Sequence, residues 1–328
     1  MIMRIKRKLR SWQSCLLKGY HHALYGSCRV LLYHRVTDLE TDPQLLAVSP
    51  ANFDDHLEYL SSACHVLAIA EFEDILRNRK RFPANAILIT FDDGYADNYL
   101  EALPILEKHK LQALFYVSTG TLGTGEEYWW DAIERIVLLS DQPPSQNEIE
   151  VNGEVFSLGS LDDGARTKLY ESLLPRLRRM PSEQRDKIIR KLAVIFGSEQ
   201  PRETHRAMTH EELSKMAESR SAVVGAHTHL HPSLGALNYQ DQADEIRQSK
   251  EILENELQSA ITHFSYPFGT VHDFNEDTLC IVREQGFAFV AANYPDVVNK
   301  QSDSLRFPRF LVRDWGVDEF KRQLKSFV

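Results

Sequence analysis

The chain has 328 residues, 43% hydrophobic and 26% charged, which supplies a substantial core and suits one large domain or two smaller ones. Its 38 basic and 47 acidic side chains leave a formal charge of −9, which argues against duplex nucleic acid as a general partner. The charge is unevenly spread: no Asp or Glu precedes Asp38, whereas Arg4, Lys6, Arg7, Lys8, Arg10 and Lys18 crowd the start.

Residues 1–28 read as a basic arm. It has no apolar h-region and no small-residue cleavage site of a secretory signal, and Leu16-Leu17 is too short to span a bilayer. A solvated terminus is the plain reading. The other is attachment to an anionic membrane surface through Trp12, Leu16, Leu17 and Tyr20. Cys15, Cys28, Cys64 and Cys280 show no close pair and no metal-type spacing, so they read as reduced and structural. The expected location is the cytoplasm or the inner face of the membrane.

From residue 29 onward the elements alternate. Arg29 to His34 is a short apolar strand ending in an imidazole. Asn52 is a helix-cap candidate, with Phe53, Leu57 and Leu60 at helical spacing behind it. Val66 to Ile69 reads as a strand and Glu71 to Arg79 as a helix. Ala86-Ile87-Leu88-Ile89-Thr90-Phe91 is an unbroken run that suits a strand covered on both faces, and it drives into Asp92-Asp93-Gly94. Asp97 to Lys110 is a helix despite Pro104, and Ala113 to Val117 is another strand. Such alternation indicates parallel βαβ units, hence an α/β barrel or an open wound sheet.

The pattern breaks at about 123–206, which reads as a mostly helical insertion. It holds a helix from Glu127 to Leu139, a hairpin around Asn152-Gly153, and helices near Ala165 to Arg179 and Ser182 to Phe196. Trp129 and Trp130 suit core packing, with a sugar-stacking wall as their other role. Thr209 and Glu212 then form a capping box, and Ala222 to Ala226 is a strand running into His227-Thr228-His229-Leu230-His231-Pro232. A long helix covers Tyr239 to Gln258, and a strand from His263 to Tyr266 closes on Pro267-Phe268-Gly269. A helix from Phe274 to Gln285 stops at Gly286. Phe287 to Ala291 and Phe310 to Val312 supply the last strands.

Four strands end in reactive residues: His34, Asp92-Asp93, His227 to His231, and Ser265-Tyr266. In α/β folds ligands collect at those carboxyl ends. Two adjacent carboxylates cannot both sit in a dry core as free anions. Together with three histidines in five residues they point to a metal, since two imidazoles and a carboxylate leave a coordination position open. His227 and His231 share a face if the chain turns after the strand, and His227 and His229 do if the strand continues. The spacing alone does not choose.

Thr90-Phe91-Asp92-Asp93-Gly94 with His227-Thr228-xx-His231-Pro232 resembles the NodB-type polysaccharide deacetylases, carbohydrate esterase family 4, from about Arg29 to Val312. The resemblance implies a distorted (β/α)7-type barrel over residues 29–328. It implies Asp93, His227 and His231 as ligands of a divalent metal, zinc being expected, with Asp92 as general base and His229 as a neighbour. Two departures stand out. The third motif, Phe264 to Gly269, has no arginine, and the usual late Leu-x-x-His is not evident after Phe287. Leu32-Tyr33-His34-Arg35-Val36 resembles the early segment of the biofilm poly-N-acetylglucosamine deacetylases, which makes His34 the candidate acid. Arg309, in Phe307-Pro308-Arg309, is the candidate to orient Asp92. Tyr95, through a loop amide, and Tyr266, Pro267 and Trp130 are expected on the substrate side.

The expected activity is therefore metal-dependent hydrolysis of acetyl groups on N-acetylated sugars of a polysaccharide or glycan. Two readings compete. A TatD-like or other amidohydrolase would use His227-Thr228-His229 as its HxH pair, although that pair lies late in the chain and after the Asp pair. A non-catalytic carbohydrate-binding protein of the same fold is the other.

Overall fold

The computed structural model describes residues 26–159, 162–198 and 200–327. The basic arm up to residue 25, with the membrane contact expected of it, lies outside them. Among the described residues no helix is long and apolar enough to cross a membrane.

The first half runs β1 (Cys28–Tyr33), β2 (Arg35–Val36), β3 (Ala47–Val48), α1 (Pro50–Ala63), β4 (His65–Val66), α2 (Ile69–Arg77), β5 (Ala86–Phe91), α3 (Leu103–His109) and β6 (Ala113–Val117). The insertion holds α4 (Trp129–Val137), β7 (Glu148–Val151), β8 (Glu154–Ser157), α5 (Asp163–Leu177) and α6 (Ser182–Phe196). The remainder is α7 (His210–Glu218), β9 (Ala222–Ala226), α8 (Tyr239–Leu257), β10 (His263–Ser265), α9 (Glu276–Glu284), β11 (Phe289–Ala291), β12 (Phe310–Leu311) and α10 (Val317–Ser326).

All pairings in the main sheet are parallel, in the order β11-β10-β9-β6-β5-β1-β12, with β4 on the lower half of β5. A parallel bridge from Ala291 to Phe307, just ahead of β12, brings the two ends of that order together. The sheet is thus curled into the barrel that the family resemblance implies, one of the two arrangements that the alternating pattern leaves open. β5 lies between β6 and β1 with every residue buried, registered on β1 from Cys28↔Ala86 to Tyr33↔Phe91.

Alternation along each strand divides the core in two. Leu31, Tyr33, Ile87, Ile89 and Phe91 face the surrounding helices. Cys28, Val30, Ala86, Leu88, Leu114 and Tyr116 face inward, where Phe72 of α2 plugs the barrel against Phe82, Phe289 and Phe307. Burying each of these aliphatic side chains contributes about 1.5–3 kcal/mol. The inward parity of Leu88 continues through Thr90 to Asp92, which aims that carboxylate into the barrel mouth.

Local chemistry moves some boundaries. Ser49, not Asn52, caps α1: its Oγ accepts from the Asn52 amide, and Pro50 takes the first position, where a missing N–H is harmless. The Asn52 side chain donates instead to Asp314 Oδ1 at 2.6 Å. The strand expected at Val66 to Ile69 shrinks to His65–Val66 because Ile69 already starts α2. The helix expected from Asp97 begins as a π-helical turn, Asn98–Ala102, and becomes α-helical where Pro104 fits the first turn.

The insertion packs on itself around Trp129, Trp130, Ile133, Leu173, Leu192 and Phe196. Its return is pinned by bridges Glu127↔Arg206 and Tyr95↔Ala207.

Candidate active site

Asp92 and Asp93 leave β5 in opposite roles. Asp93 and Gly94 both adopt left-handed backbone, φ 76° and 88°, which turns the chain sharply after the strand. A side chain on Gly94 would meet Val117 Cγ1 at 2.9 Å, so only glycine fits this turn. Tyr128 donates its hydroxyl to the Asp93 carbonyl at 2.5 Å and fixes the turn from the insertion side.

The strand β9 delivers His227, and the chain then turns through Thr228 (φ 65°) so that His231 (φ 52°) comes back over it. His227 Nδ1 donates to the Ser265 carbonyl at 2.8 Å, which leaves Nε2 as the acceptor. That nitrogen lies 3.5 Å from Asp93 Oδ1 and 3.2 Å from His231 Nε2, and His231 Nε2 lies 3.3 Å from Asp93 Oδ1. All three residues are buried. Tetrahedral coordination at about 2.0–2.1 Å requires donors about 3.3–3.4 Å apart, so this set of one carboxylate and two imidazoles fits a zinc-type ion. Burial pushes His231 down to about 4, so it is a neutral donor, and the two imidazoles hold Asp93 far below the usual carboxylate range despite its own burial.

The alternative HxH pair does not form this group. His229 turns away, its Nδ1 2.9 Å from Thr119 Oγ1, and Glu245 accepts from its amide. The amidohydrolase reading thereby loses its second imidazole.

Asp92 is bound chiefly by Arg309 and Ser265 and lies farther from the histidines than Asp93 does, its Oδ2 3.9 Å from His227 Nε2. Arg309 donates to Oδ1 at 2.6 Å and to Oδ2 at 2.7 Å, while Ser265 Oγ donates to Oδ2 at 3.2 Å. Arg309 also reaches Ser265 Oγ, Thr90 Oγ1 and the Ala292 carbonyl, so its guanidinium is fully engaged inside the barrel. Burial works to raise Asp92, but Arg309 and then His227 outweigh it and keep the carboxylate ionised below its ordinary range. His34 follows β1, its Nδ1 buried without a hydrogen-bond partner among the described residues. Burial pushes its ring below the usual imidazole range, against the pull of Asp93 and Asp92.

The residues expected on the substrate side are placed differently from one another. Tyr95 is fully buried and donates to Asp131 Oδ2 at 2.6 Å, so its side chain faces the insertion, not the cleft. Tyr266 is fully buried too, bonded to the Leu305 carbonyl and stacked on Phe274, and Pro267 is buried beside it. Trp130 packs on Tyr128 and on the His231 ring, 4.6 Å away, and donates to Tyr95. It buttresses a ligand from behind, in keeping with core packing of the pair. Trp129 instead lines a cleft of about 390 Å³ beside His231, whose far wall is Arg185 and Ile189 of α6. Ser265 is already marked by its place at a strand end, whereas Thr90 and Tyr128 are not expected as site residues. Strand parity points Thr90 inward, but no spacing signals Tyr128.

The sequence matches the polysaccharide deacetylase family over residues 79–138 and 189–290, leaving out the middle of the insertion. It is 21% identical over 272 residues to the Bacillus subtilis protein YxkH, described as a polysaccharide deacetylase, covering 83% of this chain and 66% of that protein. It is also 21% identical over 283 residues to the Staphylococcus aureus poly-β-1,6-N-acetyl-D-glucosamine N-deacetylase, covering 86% of this chain and 72% of that protein. In fold it resembles the Streptococcus pyogenes deacetylase PplD solved with acetate, with a TM-score of 0.59 and 17% identity over 92% of this chain and 99% of that one. With barrel, strand-end residues and matched segments in agreement, this chain belongs to the polysaccharide deacetylase family.

Proposed function

We propose that this protein is a metal-dependent carbohydrate N-deacetylase that releases acetate from N-acetylated sugars of a polysaccharide or glycan. The observation that carries the reading is the division of labour between neighbours: Asp93 joins two imidazoles in a donor triangle, while Asp92 is held apart by Arg309. Asp93, His227 and His231 would hold a divalent ion, zinc by their chemistry. Such an ion, when bound, polarises an acyl carbonyl and makes water more acidic.

The remaining steps belong to the chain. Asp92, ionised and fixed in orientation, takes a proton from the attacking water. The Tyr95 amide, on the turn after the Asp pair, donates to the developing oxyanion. His34 delivers a proton to the departing sugar amine. Burial pushes its ring below the usual imidazole range, so on this reading it takes up during turnover the proton that it delivers. Acid–base assistance of this kind is worth about 10²–10⁴ in rate. The cleft between Trp129 and α6 would accept the neighbouring sugar.

Acetate release from N-acetylglucosamine oligomers, with zinc or cobalt added and after chelation, tests the reading. Metal-dependent release is expected. A fully metal-loaded protein that binds the oligomers and frees no acetate would instead favour the non-catalytic carbohydrate-binding alternative.

A further inference from the structure

A second group of buried donors lies where the insertion meets the barrel. Asp131 and Glu134 stand one turn apart on α4, at the start of the insertion, and His205 stands at its return. One donor atom from each lies within 4.8 Å of the other two, and all three residues are buried.

The surrounding charges do not balance. Arg35 pairs with Asp97 at 2.9 Å, Arg135 with Glu127 at 2.6 Å, and Arg202 with Glu127 at 2.5 Å and Glu134 at 3.2 Å. Asp131 is ion-paired with none of the described residues and accepts only the Tyr95 hydroxyl, while Thr41 donates to Glu134 Oε1 at 2.5 Å. Among the described residues, four buried carboxylates, Asp97, Glu127, Asp131 and Glu134, thus face the guanidinium groups of Arg35, Arg135 and Arg202. His205 is 5% exposed. Its Nδ1 lies 2.9 Å from Thr204 Oγ1, and its Nε2 is buried with no hydrogen-bond partner among the described residues. A ring nitrogen left so costs about 1–3 kcal/mol.

Protonating His205 does not restore the balance, because burial, with Arg35 and Arg202, pushes it down to about 3. A proton on Asp131 is the alternative occupant, and burial pushes that carboxyl up to about 8. A proton, however, leaves the His205 nitrogen without a partner, whereas an ion that takes two carboxylates and an imidazole answers both needs.

We propose that Asp131, Glu134 and His205 hold a second divalent transition ion, of the zinc class, which ties the two ends of the insertion to each other. The ion is structural, because the group is buried and sits on the far side of Tyr95 and Trp130 from His231. The site is independent of the deacetylase reading of the first centre.

Metal analysis of the full chain, loaded with zinc and desalted, tests the proposal. Wild type is expected to retain about two equivalents per chain. Asp93→Ala loses one, His205→Ala loses the other, and the double variant retains none. Asp131→Asn, which preserves shape and the Tyr95 hydrogen bond, guards against a folding defect in His205→Ala and is expected to lose the same equivalent. Chelation is expected to lower the unfolding temperature of Asp93→Ala, which keeps the second ion, and to leave that of a variant carrying both Asp93→Ala and Asp131→Asn unchanged. One equivalent in the wild type, or two that survive both His205→Ala and Asp131→Asn, would overturn the site in favour of a protonated Asp131.

Discussion

Arg309 grips both carboxylate oxygens of Asp92, at 2.6 and 2.7 Å, from a position 217 residues away in the chain and out of reach of solvent. The pair sits within the barrel mouth, where removing one member strands the other charge. Arg309→Met is expected to cost about 3–5 kcal/mol of stability by urea unfolding, and Arg309→Lys to restore charge without the two-point grip. Both are expected to lower the rate of acetate release while leaving the metal content unchanged. Because Arg309 keeps Asp92 below its ordinary range against burial, the pair's contribution is present above about pH 4 and lost as the carboxylate protonates below it.

Gly94 offers a test of the backbone behind the centre. Its φ of 88° and the 2.9 Å approach of Val117 leave no room for a methyl group. Gly94→Ala is expected to cost about 1–3 kcal/mol and, by displacing Asp93, to weaken zinc binding about 10–100-fold in a competitive chelator titration. An alanine variant of wild-type affinity would show that the turn does not position the ligand.

His56 gives the fold a pH dependence separate from the site. It stacks on Phe320 with ring centroids 3.9 Å apart, and its Nε2 donates to the Trp315 carbonyl at 2.6 Å. Burial pushes it down to about 4 from the usual imidazole value, so the native state resists protonation. Stability from this residue is complete above about pH 6.5 and falls as pH drops to about 4, by about 3 kcal/mol in all. His56→Phe is expected to be less stable at neutral pH and to lose that slope, as read by thermal unfolding across the range.

The barrel and its chemical end were legible because each rests on a local pattern. Unbroken apolar runs ending in His34, Asp92 and His227 specify strands and place reactive groups at one rim. The choice of His231 over His229 required the backbone, since it depends on left-handed turns at Thr228 and His231 that no periodicity signals. Tyr266 has the sequence neighbours of a cleft residue, yet its hydroxyl finds a partner inside the protein; the Tyr95 hydroxyl does too, which leaves its backbone amide as the group on offer to the cleft. Ser49 displaced Asn52 as a cap because Pro50 fixes the first helical position, a cue that was present and outweighed by the apolar spacing behind Asn52. The group at Asp131, Glu134 and His205 had no signature at all, because the insertion folds back to join residues far apart in sequence.

The central claim is that Asp93, His227 and His231 share one ion while Asp92 stays outside it. Anomalous scattering from crystals loaded with zinc addresses this directly. The account predicts a peak within bonding distance of one Asp93 oxygen and the Nε2 atoms of both histidines, retained in Asp92→Asn and gone in Asp93→Ala. A peak coordinated by His229, or one that persists at this position in Asp93→Ala, would contradict it.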